Sequence, residues 1–260
     1  MHEMIRTIID SVDETSVVSL LSVVDNKPPP SPKKRKGPDS PMFSWIFRNL
    51  DFANWRDASD SRVLWLSGPQ KCNISQASSY IVDQQKKTHD SVLYYFCSAS
   101  TRGRSAVGDF VRTLLHQIIE SLPQARRTTV LVRFLHVIRV GIFETESVST
   151  WTDFKFNPQL FPHENIEKLL EAQPYDLWMA LESVLTDEPG QDLIIVVDGL
   201  DKISIQEREL LQEVWTFLEH LYLRMQKIKV LLTGQRNDHT KDIVDGLQSI
   251  EYDKERRGQV

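Results

Sequence analysis

Apolar residues along the chain fall into two alternating patterns. Short runs at Arg62–Ser67 (RVLWLS), Ser91–Cys97 (SVLYYFC), Leu193–Val197 and Ile228–Thr233 (IKVLLT) are brief and largely β-branched or aromatic, which predicts buried strands. Between them the apolar spacing becomes helical. Val107, Phe110, Val111, Leu114, Leu115, Ile118 and Ile119 predict one helix face, and Leu177, Trp178, Leu181, Val184 and Leu185 a second, closed by Pro189-Gly190. A long helix is expected at about Gln206 to Gln226, and others at 128–140 and 241–247. Ahead of the first strand, Phe43, Ile46, Phe47, Leu50 and Phe52 read as one helical face, followed by Trp55. After it comes a loop, then a helix with Ala77, Tyr80 and Ile81 inward. Strands alternating with helices predict βαβ units and a mainly parallel α/β sheet.

The remaining segments differ in kind. Residues 1–26 carry Ile5, Ile8, Ile9 and Val12 at helical spacing and predict a short amphipathic helix. Residues 27–41 hold Pro28, Pro29, Pro30, Pro32, Pro38 and Pro41 around the basic run Lys33, Lys34, Arg35 and Lys36, and read as a disordered linker. That run is either a nuclear-import signal or a solvated charged stretch. Residues 141–172 read as an irregular surface excursion, and globular patterning extends over 42–260.

Composition adds mostly exclusions. With 260 residues, 40% hydrophobic and 26% charged, the chain has the makings of a soluble globular domain. A net charge of −5 points away from a general nucleic-acid surface. No apolar stretch reaches membrane-spanning length. Two cysteines, Cys72 and Cys97, have neither disulfide-framework nor zinc spacing, so the expected location is cytoplasmic or nuclear.

Candidate chemistry lies at two strand ends. Asp198 stands where the Leu193–Val197 strand must stop, the position at which an α/β sheet presents a carboxylate to a ligand or to Mg²⁺. The Arg62–Ser67 strand runs into Gly68 and then a helix, the setting of a phosphate-binding loop. The two places are expected to face each other across neighbouring strand tips.

Four blocks in this order resemble the NACHT-type module of fungal signalling proteins, of the STAND class of P-loop NTPases: FSWIFRNLDFANWRDASDSRVLWLSG, VLYYFCSASTRGRSAVGDFVRTLLHQII, DLIIVVDGLDK and KVLLTGQRND, with IEYDKERR as a supporting tail. The resemblance implies a P-loop NTPase-like three-layer sandwich over 42–260, ending before the winged-helix and repeat regions of such proteins. It implies ATP or ADP with Mg²⁺ as ligand. Laid on G-x-x-x-x-G-K-[ST], the segment GPQKCNIS keeps Gly68 and Ser75, with Asn73 for the second glycine and Ile74 for the lysine. Asn tolerates a left-handed backbone. Losing a charge-assisted hydrogen bond costs roughly 1.5–3 kcal/mol, so nucleotide binding is expected to be weak. Lys71, three positions before Ile74, is the lysine left to bend a charge toward the phosphates.

On the same resemblance Asp198 and Ser75 are the metal-associated residues, and Asp201 matches the first of two downstream acids in D-G-x-D-E. Lys202 replaces the second. Thr233 and Arg236 resemble the sensor segment, with Asp201 and Arg236 as the catalytic candidates. The reading favoured is a degenerate module with a regulatory or protein-interaction role in intracellular signalling and weak or no ATP hydrolysis. A hydrolysing ATPase switch and a nuclear adaptor on an inherited scaffold are the alternatives. Protein partners, no nucleic acid and no membrane, and a monomer or weak self-association are expected.

Overall fold

A computed structural model of the chain describes residues 43–69, 72–89, 91–97, 106–123, 174–186, 193–202, 227–237, 240–241 and 244–252, with residues 18, 127, 130 and 216. Lys71, the basic run Lys33–Lys36, and nearly all of the helices expected at 1–26, 128–140 and 206–226 lie outside the described residues. The contacts divide the chain into two compact units, one of residues 26–106 with 189–260 and one of residues 1–25 with 107–188.

The first unit contains the sheet. In chain order it runs α1 (Ser44–Arg48), α2 (Leu50–Asp57), β1 (Arg62–Ser67), α3 (Ile74–Gln85) and β2 (Val92–Phe96). It resumes with β3 (Leu193–Asp198), a 3₁₀ turn (Leu200–Lys202), β4 (Ile228–Gly234) and β5 (Gln248–Glu251). All four strand pairings are parallel and the order is β2-β3-β4-β1-β5. Every residue of β3 and β4 is buried, as befits central strands of a sheet enclosed on both faces.

The expected single helix face at 43–52 is two helices instead. Asn49 is extended, with φ −68° and ψ 131°, and its Oδ1 accepts from the backbone N–H of Asp51 (2.9 Å) and Phe52 (3.1 Å). It thus caps a new helix, and Leu50, expected inward, is 72% exposed. The break lets Phe43, Ile46, Phe52 and Trp55 all reach the core with Leu64, Leu66, Ile81 and Leu231. The indole N–H of buried Trp55 is shared between the Val230 carbonyl (3.1 Å) and the Arg62 carbonyl (3.2 Å), which ties α2 to β4 and β1. Lys229, buried on β4, keeps its ammonium satisfied on the carbonyls of Ala58 (2.6 Å) and Asp60.

A second departure is β5. QSIE has one buried position, Ile250, and the weak apolar signal hides a strand that pairs with β1 from Leu64 to Ser67. Tyr252 extends the pairing, its N–H donating to the Ser67 carbonyl at 2.6 Å. In the second unit, α4 (Ala106–Ser121, starting one residue ahead of the unit) buries Phe110, Val111, Leu114, Leu115, Ile118 and Ile119, and α5 (Pro174–Thr186) buries Leu177, Leu181, Val184 and Leu185. Phe110 and Trp178 pack there in a tilted pair, with ring centroids 5.9 Å apart. Among the described residues no helix is long and apolar enough to cross a membrane.

Candidate functional site

The site grows from the carboxyl ends of β1, β3 and β4. Register places Ser67 beside Gly234 and Asp198 beside Thr233, so β4 stands between the strand leading to Gly68 and the strand ending at Asp198. The two tips are therefore not neighbours. Their functional groups meet because α3 starts just after β1 and crosses toward β3.

The loop that starts α3 is shaped by close packing. A side chain on Gly68 would collide with the Cys72 sulfur and crowd Ile74 and Tyr252 (3.1 Å each), so only glycine fits. The Cys72 N–H closes a turn on the Pro69 carbonyl at 3.2 Å. Asn73 takes the left-handed conformation, φ 58° and ψ 38°, and is the sole described non-glycine residue with positive φ. Its carbonyl receives the N–H groups of Gln76 (3.0 Å) and Ala77 (3.1 Å), which launches the helix. Ile74 then turns inward and joins the core cluster. At the position that the resemblance gives to a phosphate-binding lysine, this chain has a buried hydrocarbon.

A lysine arrives from the other side. Lys202, in the turn after β3, donates from Nζ to Ser75 Oγ at 2.9 Å and lies 3.4 Å from Asp198 Oδ2. Asp198 is fully buried. Its Oδ1 accepts from Thr233 Oγ1 at 2.6 Å and from Ser78 Oγ at 2.8 Å. The Ser78 and Thr233 hydroxyls are themselves 2.8 Å apart, and Ser78 Oγ also lies 3.0 Å from the Ile74 carbonyl. Ser78 has one proton for these three acceptors. Ser78 carries no mark in the phosphate-loop spelling; its signal is the spacing of three from Ser75, which puts both hydroxyls on one side of α3.

Asp201 is held away from this cluster. Its Oδ1 accepts from the Gln235 backbone N–H at 2.9 Å, and a side chain on Gly234 would come within 2.6 Å of the same oxygen. Arg236 is exposed and pairs through Nη2 with Asp245 Oδ1 at 2.9 Å. It lines a cleft of about 300 Å³ with Trp65, Gly68, Pro69, Asp245 and Glu251. Below the site, Cys97 donates its backbone N–H to the Asp198 carbonyl at 2.8 Å. Burial, and next the nearby Asp198 charge, push the Cys97 thiol well above its ordinary range, which makes it a core residue.

Among the described residues the arrangement offers a helix N-terminus, the Lys202 ammonium, and a carboxylate whose Oδ1 is already used. The oxygens that a divalent cation would take, Ser75 Oγ and Asp198 Oδ2, are bridged by Lys202. These residues as arranged do not fit a metal ion.

Comparison with known proteins gives three similarities. The family model "Nephrocystin 3, N-terminal" matches residues 42–235. The "Vegetative incompatibility protein HET-E-1" of Podospora anserina is 25% identical over 83 residues, 31% of this chain. The matched stretch spans only 6% of that relative's length. The "Structure of Drosophila ORC bound to AT-rich DNA and Cdc6" contains a chain similar over 92% of this one and 57% of its own length, at 10% identity and a TM-score of 0.41. The family match covers well over half of the sequence, and its α/β sheet is parallel throughout, so the chain belongs to the nephrocystin 3, N-terminal family and carries a NACHT-type module.

Proposed function

We propose that this NACHT-type module is a degenerate nucleotide-binding unit with a regulatory or protein-interaction role in intracellular signalling. It holds ATP or ADP weakly and turns ATP over slowly or not at all. The observation that carries this reading is the exchange of charges at the loop: Ile74 is packed into the core, and among the described residues the cation at Ser75 comes from Lys202, across the site. A phosphate loop uses its lysine to neutralise charge on the transferring phosphoryl group, and a lysine tied to Asp198 is a poor substitute in that role.

Asp201 and Arg236 support the same reading. A water-orienting acid must aim its carboxylate at the nucleophile, whereas the carboxylate of Asp201 is oriented by the bond from the Gln235 backbone N–H to Oδ1, at the end of β4. An arginine acting on the γ-phosphate needs its guanidinium at the site, whereas that of Arg236 is paired with Asp245. Such a unit acts through protein partners, as a monomer or with weak self-association. Phosphate release from ATP, measured beside Asp198→Ala, tests the proposal. The expected result is release at the background rate in both proteins; turnover in the native chain that disappears with Asp198→Ala means a working ATPase.

A further inference from the structure

We propose that the Lys202 ammonium has taken over the place of the divalent cation, so that this site receives the phosphates of a nucleotide without metal. The inference rests on the nucleotide-binding reading above and adds what neutralises the phosphates.

Three observations converge on it. First, Lys202 Nζ contacts both oxygens that the resemblance assigns to the metal, Ser75 Oγ at 2.9 Å and Asp198 Oδ2 at 3.4 Å. A divalent ion at the same two oxygens would lie against a like charge, so ammonium and metal exclude one another. Second, the backbone is built for this reach. Gly199 has φ +79°, and a side chain there would come within 2.9 Å of Lys202 Cδ and Nζ. The lysine folds back through the space that glycine leaves, with the Lys202 N–H donating to the Gly199 carbonyl at 2.8 Å. Third, the lysine side chain is 39% exposed while Asp198 is fully buried. One end of the pair anchors the charge and the other presents it to solvent. An ammonium has three N–H bonds; Ser75 and Asp198 engage two and leave one for an incoming oxygen.

The exchange is visible in the sequence. The chain lacks the loop lysine at position 74 and gains one at position 202, where the resemblance has an acid. The positive charge is thereby moved from the start of α3 to the turn after β3, where it stands beside Asp198 in place of the second downstream acid. A phosphate bound at the loop meets a tethered cation already in place.

The test titrates the full chain with ATP by calorimetry, once in EDTA and once in excess Mg²⁺, beside Lys202→Ala and Lys202→Met. The native chain is expected to bind ATP no more than threefold tighter in Mg²⁺ than in EDTA. Both variants are expected to lose at least fivefold of the affinity in EDTA, with Mg²⁺ restoring part of it. A native affinity that Mg²⁺ improves by more than threefold overturns the inference, as does a folded variant that loses less than fivefold in EDTA. Absence of ATP binding in both buffers removes the nucleotide reading and the metal-free binding with it. A Mn²⁺ titration followed by electron paramagnetic resonance then decides the cation's place alone. Lys202→Met should gain a Mn²⁺ site that the native chain lacks and that adding Asp198→Asn abolishes; no gain means that Lys202 never stood in for a metal.

Discussion

Ser78 Oγ on α3 and Asp198 Oδ1 at the end of β3 are joined by a hydrogen bond of 2.8 Å across 120 positions of sequence. The bond does two things. It fastens α3, and so the loop before it, to the strand that carries the carboxylate. It also commits one oxygen of that carboxylate to the protein, leaving Oδ2 alone to face the site.

Ser78→Ala should therefore destabilise the fold although Ser78 touches no ligand position. Asp198 keeps Thr233 on the same oxygen, so the expected cost is about 1–2 kcal/mol, near the lower part of the range for a weakened buried acceptor. Ser75→Ala, whose hydroxyl bonds the half-exposed Lys202, should cost less than about 0.5 kcal/mol. Urea midpoints of the two variants check the contrast, and equal losses would refute it.

Asn73 offers a test of backbone conformation. Because its φ is 58°, Asn73→Gly should leave stability within about 0.5 kcal/mol of the native value. A β-branched residue has no easy access to that conformation, so Asn73→Val should cost about 1–2 kcal/mol. Thermal melts of both proteins measure the difference, and a tolerated valine would mean that the loop does not hold this geometry.

Gly234 and Asp201 should behave as a coupled pair. A methyl group at position 234 would press to 2.6 Å from Asp201 Oδ1 and 3.1 Å from the Trp65 ring, which predicts a loss of about 1–3 kcal/mol for Gly234→Ala. Asp201→Ala removes the bond to the Gln235 N–H and costs about 1 kcal/mol. Removing the carboxylate also relieves part of the overlap, so the double variant should lose less than the sum of the singles. Strict additivity in a double-mutant cycle would show that the two do not touch.

Cys97 yields a pH dependence with a definite sign. Its thiol is held above the ordinary range by burial, so it keeps its proton in the folded state while an unfolded cysteine ionises above about pH 8.5. The unfolded state then binds fewer protons, and stability falls as pH rises beyond that point. Iodoacetamide should accordingly leave Cys97 unmodified in the native chain at pH 8 and label it in denaturant. Rapid native labelling would contradict the burial.

The sequence by itself determined four of the five described strands and put Gly68 and Asp198 at strand ends. Strand cores such as Leu193–Asp198 are legible because burial on both faces demands an unbroken apolar run, a local property. The left-handed turn at Asn73 was foreseeable for a similar reason, since few residues other than glycine adopt it. Local pattern misjudged the helix face at 43–52, where capping by Asn49 outcompetes apolar spacing, and passed over β5, whose partner β1 supplies the hydrogen bonds. Tertiary structure alone decided that β4 separates the two tips, that Ile74 faces the core, and that Lys202 reaches Ser75 from 127 positions away. Each of these depends on which strand lies beside which and on the space that neighbouring residues leave, and neither is written in the spacing of a single segment.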